Sequence, residues 1–231
     1  MKIKHHFFGK DCLTNRELSD RKNVTRRLEE IGMRHNHLLF VNQIHGREVA
    51  VVDAEEKIFG EQSLPKADAL VTNLKNVAIA VVTADCSPIL FSDEVAGIIA
   101  VTHAGWRGAK LGVIQSTVNA MKNLGAKNIK AVIGPMIQQN SYEVSQEFLD
   151  EFLGENPTNK QFFKNAVNAG KWLFDLPSYV EKKLNEGGVE KIKNLGIDTY
   201  ENERDFFSFR RSTHKGERDC GRNVAVAMIE E

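Results

Sequence analysis

Short apolar runs, none longer than six residues, alternate with polar stretches along the whole chain. They are densest between residues 67 and 102. There Ala69–Thr72, Val77–Thr83, Pro88–Phe91 and Val95–Thr102 follow one another closely. These runs lack strict polar–apolar alternation, which predicts strands buried on both faces. The pattern then changes period. Leu111, Ile114, Val118, Met121 and Leu124 fall at helical spacing, and Gly125 closes the predicted helix. Ile129–Ile133 is the next strand, so residues 95–133 read as one β–α–β unit. Upstream, residues 23–32 predict a short helix ended by Gly32. Leu38–Ile44 and Glu48–Val52 predict two strands joined by a turn at His45-Gly46-Arg47. Downstream, Ser145 opens a helix carrying Glu147, Phe148 and Phe152. Residues 177–184 form another helix, stopped by Gly187-Gly188. Residues 189–197, 206–209 and 224–229 predict strands. Residues 154–170 show no readable period. With no repeat, linker or break in composition, residues 1–231 read as one α/β domain.

Composition narrows the function classes. The 231 residues are 42% hydrophobic, enough for a sizeable core. Basic and acidic side chains number 31 each, a formal net charge of +0. That balance argues against a nucleic-acid binder of the electrostatic kind. No run approaches the roughly 20 apolar residues of a membrane span. The N-terminus lacks the apolar core of a signal peptide. Three cysteines, Cys12, Cys86 and Cys220, make no disulfide framework and fit a reducing compartment. The expectation is a soluble, cytoplasmic protein.

Candidate chemistry lies in three short segments at predicted strand ends: Gln43-Ile-His45-Gly46, Thr83-Ala-Asp85-Cys86 and Thr102-His103-Ala-Gly105-Trp106-Arg107-Gly108. Two imidazoles and a thiolate, His45, His103 and Cys86, suit a zinc ion and leave a fourth position for water. Their spacings of 41 and 17 residues match no local metal-binding pattern. The same side chains permit a second chemistry, with Cys86 as nucleophile, His103 as base and Asp85 or another carboxylate orienting the imidazole. A third reading makes Cys86 core and the histidines ordinary polar groups. Arg107, in a glycine-flanked turn before a helix, is a candidate phosphate grip. Arg210 and Arg211 are second candidates. Phe206, Phe207 and Phe209 read as core, or as a ring that stacks on a base.

At these residues the sequence resembles the laccase-domain family of multicopper polyphenol oxidase-like purine nucleoside phosphorylases, some of them called peptidoglycan editing factors. The resemblance runs in order through Gln43–Gly46, Ala67–Thr72, Thr83–Pro88, His103–Gly108, Ile133–Pro135, Tyr142–Val144 and Phe207–Arg211, ending at Gly221-Arg222. It implies an α/β domain with mixed sheets flanked by helices. It implies a metal site of His45, Cys86 and His103, with zinc preferred to copper because three ligands cannot assemble a multicopper cluster. It implies phosphorolysis of adenosine, inosine or S-methyl-5'-thioadenosine, and hydrolytic deamination of adenosine. The partners implied are a nucleoside and phosphate. Asp85 is then the expected proton shuttle. The family's other labels keep open a cysteine hydrolase acting on peptidoglycan precursors through Cys86 and His103, and a copper-dependent polyphenol oxidase. The chain departs from the pattern at Met136 and Asp198, where many relatives carry cysteine.

Overall fold

The computed structural model describes residues 2–13, 21–218 and 220–231. At its centre two sheets lie face to face. One has four strands, in the order β1 (Lys2–Leu13), β13 (Arg222–Glu230), β5 (Val77–Thr83) and β2 (His37–Leu39). The other has six, in the order β12 (Lys191–Asn194), β8 (Lys130–Ile133), β6 (Ser87–Asp93), β7 (Ile98–Ala104), β4 (Ala69–Thr72) and β3 (Val49–Val52). Both sheets mix parallel and antiparallel pairs.

The two-residue period of a strand sorts the apolar side chains into three cores. Ile79, Val81, Ala225 and Ala227 of the four-stranded sheet meet Leu70, Leu90, Ile99 and Val101 of the six-stranded sheet. The residues between them face outward. Ala78, Ala80, Val224 and Val226 pack on Val24 and Leu28 of α1 (Arg21–Glu30). Ala69, Val71, Ile89 and Phe91 pack under α3 (Val113–Asn123) and α5 (Leu176–Glu186). Strands covered on both sides therefore lack alternation, as the sequence predicts. The result is a mixed α/β fold, helix–sheet–sheet–helix.

Residues 154–170, unreadable from sequence, contribute an edge strand to a third, three-stranded sheet. Its order is β10 (Phe163–Asn165), β11 (Lys171–Phe174), β9 (Glu143–Ser145). Next to it α4 (Gln146–Glu155) is capped by the Ser145 hydroxyl, which accepts from the Phe148 N–H. Phe148, Phe152, Phe163, Phe174 and Tyr179 cluster here with ring centroids 4.8–6.1 Å apart.

Three sequence expectations change, and one strand is added: β1, for which the sequence predicts no element, pairs antiparallel with β13. Residues 38–44 and 48–52 are not a hairpin: β2 pairs with β5 and β3 with β4, in different sheets. The segment between them crosses from one sheet to the other. The helix expected over 111–124 is two helices, α2 (Trp106–Leu111) and α3. Gly112 breaks them with φ +94°, a left-handed conformation that glycine adopts without a Cβ clash. Phe206–Phe209 is not a strand. Ser208 caps α6 (Phe209–His214), its hydroxyl accepting from the Arg211 N–H. The β–α–β unit is present, with β6 lying between β7 and β8.

Candidate metal centre

The crossing segments bring the three motifs together at one end of the sandwich. His45 sits in the crossing between β2 and β3, Cys86 in the turn from β5 to β6, and His103 on β7. Their ligand atoms all lie within 4.8 Å of one another. This is slightly wider than the ~3–4 Å a closed tetrahedral site requires. The His45 and His103 rings meet edge to face with centroids 4.7 Å apart. His45 is exposed, Cys86 half-buried and His103 buried. The group thus reaches from the core to solvent. Among the described residues it is the single group of three or more such donors.

Asp68, at the entrance to β4, organises the site. It is fully buried, and His103 Nδ1 donates to its Oδ1 at 2.8 Å. The same carboxylate accepts the backbone N–H groups of Ile44, His45 and Gly46, at 3.2, 3.0 and 2.7 Å. One side chain therefore fixes the ring of His103 and the backbone that carries His45. It also stabilises the left-handed φ of +57° at His45, an uncommon conformation for a residue with a Cβ. Gln43 holds the other end of the segment: its amide donates to the Val82 carbonyl and accepts the Val82 N–H, both at 2.8 Å. Asp68 was not singled out from sequence. Its one signal was an acid placed directly before an apolar run, inside the Ala67–Thr72 motif.

Electrostatics couple the three donors. Burial pushes the Cys86 thiol up, but the charge and hydrogen bonds of His103, with those of His45, outweigh it and bring it down to about 6. Burial pushes the His103 imidazole down. The Cys86 thiolate and the Asp68 carboxylate overcome that and raise it to about 9. Without a metal the pair is a thiolate and an imidazolium. Asp68 resists burial in turn: the His103 ring and the Gly46 and Ile44 N–H groups hold it below the usual carboxylate range.

Gly105 leaves room for the group. A Cβ there would stand 2.8 Å from Cys86 Sγ and 3.4 Å from His45 Cδ2. A Cβ on Gly108 would stand 3.0 Å from the Gly46 carbonyl oxygen. Both glycines permit a close backbone approach at the site.

Two cavities meet at this group, and His45, Ala84, Cys86 and Phe209 line both. The larger, about 910 Å³, carries Asn42, Gln43, Thr83 and Arg222 on its wall beside Val41, Leu64 and Val82. The smaller, about 430 Å³, is lined by Trp106, Ile137, Tyr142 and Leu176, with Asp85 and Arg210.

The other expected site residues are placed as follows. Arg107 lines neither cavity. It is exposed, and its guanidinium lies 5.2 Å from the Trp106 ring centre, because α2 turns Trp106 toward Phe148 and Arg107 outward. Arg211 is buried and donates to the Thr199, Tyr200 and Phe206 carbonyls. It holds a loop together. The Asp85 carboxylate accepts from Thr199 Oγ1, Ser208 Oγ and the Arg210 N–H, at 2.6, 3.0 and 2.7 Å. Met136 and Asp198, the two departures from the family pattern, are bridge partners on neighbouring backbones.

A mixed α/β fold of three sheets, with one His–Cys–His group among the described residues at the end of the central sandwich, defines a candidate metalloprotein. The chain belongs to the family described as multi-copper polyphenol oxidoreductase laccase, whose profile matches residues 14–230. It is 43% identical to a purine nucleoside phosphorylase of Rickettsia conorii, over 83% of this chain and 78% of that protein. It is 36% identical to a purine nucleoside phosphorylase of Streptomyces griseus, over 84% and 77%. A Neisseria meningitidis crystal structure superposes with a TM-score of 0.75 at 32% identity, covering 92% of this chain and 81% of that one. A Geobacillus stearothermophilus structure gives 0.79 at 26% identity, covering 94% and 85%. No helix among the described residues is long and apolar enough to cross a membrane.

Proposed function

We propose that this protein is a zinc-dependent purine nucleoside phosphorylase. The reading rests on the convergence of His45, Cys86 and His103 where two cavities of nucleoside scale meet. The relatives named above support the substrate class. The donor set fits one metal ion. Two imidazoles and a thiolate match zinc and leave its fourth position open. They also match a single copper, but three side chains do not compose a multicopper cluster.

A zinc ion held by these residues would supply Lewis acidity at the cavity seam. The chain's own groups do the rest. Asp68 fixes the orientation of His103 and the backbone of His45. A phosphate oxygen forms the bond to the anomeric carbon of the ribose as the bond to purine N9 breaks, and the bonding pair leaves with the base. The dianion needs cationic and hydroxyl donors. Arg222, on the wall of the larger cavity, takes the role expected of Arg107, Arg210 or Arg211. Thr83 Oγ1, buried and without a hydrogen-bond partner among the described residues, is the hydroxyl on that wall. Adenosine, inosine and S-methyl-5'-thioadenosine are the proposed substrates. Hydrolytic deamination of adenosine is a proposed side activity. Asp85, whose oxygens already accept three hydrogen bonds, is assigned to positioning rather than proton transfer.

The test is product analysis. Zinc-loaded protein incubated with inosine should release hypoxanthine and ribose 1-phosphate only when phosphate is present. Release of free ribose, or no release, refutes the reading. One observation favours a second reading: Cys86, His103 and Asp68 also have the order of a nucleophile, base and orienting acid. Zinc should protect Cys86 from iodoacetamide if it is a ligand. Rapid alkylation of zinc-loaded protein would support a cysteine hydrolase instead.

A further inference from the structure

Phe209 is a large apolar side chain that folding leaves out. It is 53% exposed, lines both cavities, and has no ring contact among the described residues. An exposed ring at a cavity mouth is a stacking platform in want of a planar partner. Next to it Arg210 lines the smaller cavity. Its guanidinium lies 5.3 Å from the Tyr142 ring centre, and Nη1 donates to the Glu143 carbonyl at 2.6 Å. That bond is the one the guanidinium makes among the described residues. It fixes the plane and leaves other N–H donors for a ligand.

Both residues are aimed from the metal centre. Asp85 directly precedes Cys86 and has φ +84°. Its carboxylate accepts the Ser208 hydroxyl and the Arg210 N–H, and so grips the first turn of α6. The strained residue therefore sets Phe209 and Arg210 relative to the Cys86 thiolate.

We propose that the smaller cavity is the purine-base subsite, with Phe209 stacked on the base, Arg210 donating to its N7/6-position edge, and Asp85 positioning both. The inference rests on the nucleoside reading and deepens it. The walls separate the roles. Trp106, Ile137, Tyr142 and Leu176 suit a flat, weakly hydrated base, whereas the larger cavity, with Asn42, Gln43, Thr83 and Arg222 on its wall, is the more polar of the two and suits ribose and phosphate. The edge chemistry sets a preference. A 6-oxopurine presents two acceptors, N7 and O6, to a guanidinium, whereas adenine presents one acceptor and an amino donor. Inosine and guanosine should bind more tightly than adenosine.

Trp106 lines this subsite, and Trp172 is the second of two tryptophans in the chain. In a full-length Trp172→Phe protein, Trp106 fluorescence reports occupancy. Inosine and adenosine are titrated into metal-free and zinc-loaded protein. We expect inosine to bind several-fold more tightly in both forms. Phe209→Ala should weaken both nucleosides about tenfold, in the range of base–aromatic stacking, and Phe209→Tyr should restore them. Arg210→Gln should bring the inosine-to-adenosine ratio within about twofold of one. Thermal melts show whether each variant is folded. If nucleosides are cleaved and bound but Phe209→Ala and Arg210→Gln behave as the parent, the subsite is wrong and the function stands. If adenosine binds as tightly as inosine, the assigned role of Arg210 is wrong. If no purine nucleoside binds or is cleaved, the function falls and takes the subsite with it.

Discussion

Replacing Asp68 with alanine tests how the site is built. The carboxylate is fully buried and accepts four hydrogen bonds, one from an imidazole and three from backbone N–H groups. The losses are unequal. Ile44 and His45 are exposed, so water replaces the acceptor for their N–H groups at small cost. His103 is 3% exposed, and its raised proton affinity depends on Cys86 first and on Asp68 second. Removing one partner of a buried charge pair costs about 3–5 kcal/mol. The Cys86 thiolate still faces His103 in the variant and offsets part of that, so the expected loss is near the lower end, about 3 kcal/mol. Urea unfolding of metal-free protein measures it. The same change frees the His103 ring to rotate and releases the backbone of His45. Zinc affinity, measured by competition with a chelating dye, should fall about 10–100-fold. Asp68→Asn keeps an acceptor but loses the charge, and should fall between. A folded Asp68→Ala protein with parental zinc affinity and unfolding midpoint would refute the account of the site.

Further outcomes follow from the same geometry. Gly105→Ala puts a Cβ 2.8 Å from Cys86 Sγ and should reduce bound zinc by elemental analysis, with little change in secondary structure by circular dichroism. Gly134→Ala puts a Cβ 2.2 Å from the Phe7 ring and should cost about 1–3 kcal/mol in urea unfolding without changing zinc affinity. In metal-free protein, Cys86 alkylation by iodoacetamide should be near its plateau at pH 7 and fall as pH drops through about 6. The thiolate–imidazolium pair also makes stability depend on pH. The Cys86 contribution, present above its ordinary pKa, is lost as pH falls through about 6, and that of His103 is lost as pH rises through about 9. The stability difference between the metal-free parent and Cys86→Ala should therefore be greatest between those values.

Elements whose local chemistry agreed with their tertiary role were legible in the sequence. The strands from Ala69 to Thr102 are apolar on both faces because helices and a second sheet cover them. The three donors stand out because each is a borderline-soft ligand in a short glycine-rich or polar break at a strand end, but their spacing alone leaves metal, nucleophile and core readings open, and it is the family resemblance that implies one metal site. What escaped depends on long-range partners. The break at residues 45–47 looks like a hairpin turn, but Asp68 captures its N–H groups from 22–24 residues away. Phe206–Phe209 has strand-like composition, yet Ser208 caps a helix and binds Asp85 123 positions away. Arg107 sits in an apparent anion-binding turn, but the direction of its side chain depends on how Trp106 packs against Phe148. Residue type locates such groups along the chain and says nothing of the direction in which they point.

The central claim is that His45, Cys86 and His103 form one metal centre that serves nucleoside phosphorolysis. The most direct measurement is phosphate-dependent hypoxanthine release from inosine by zinc-loaded parent and by folded Cys86→Ala, with zinc content determined on the same samples. The parent should hold about one zinc per chain and show phosphate-dependent release, and the folded variant should lose both. A folded Cys86→Ala protein that keeps stoichiometric zinc and the parental rate would contradict it.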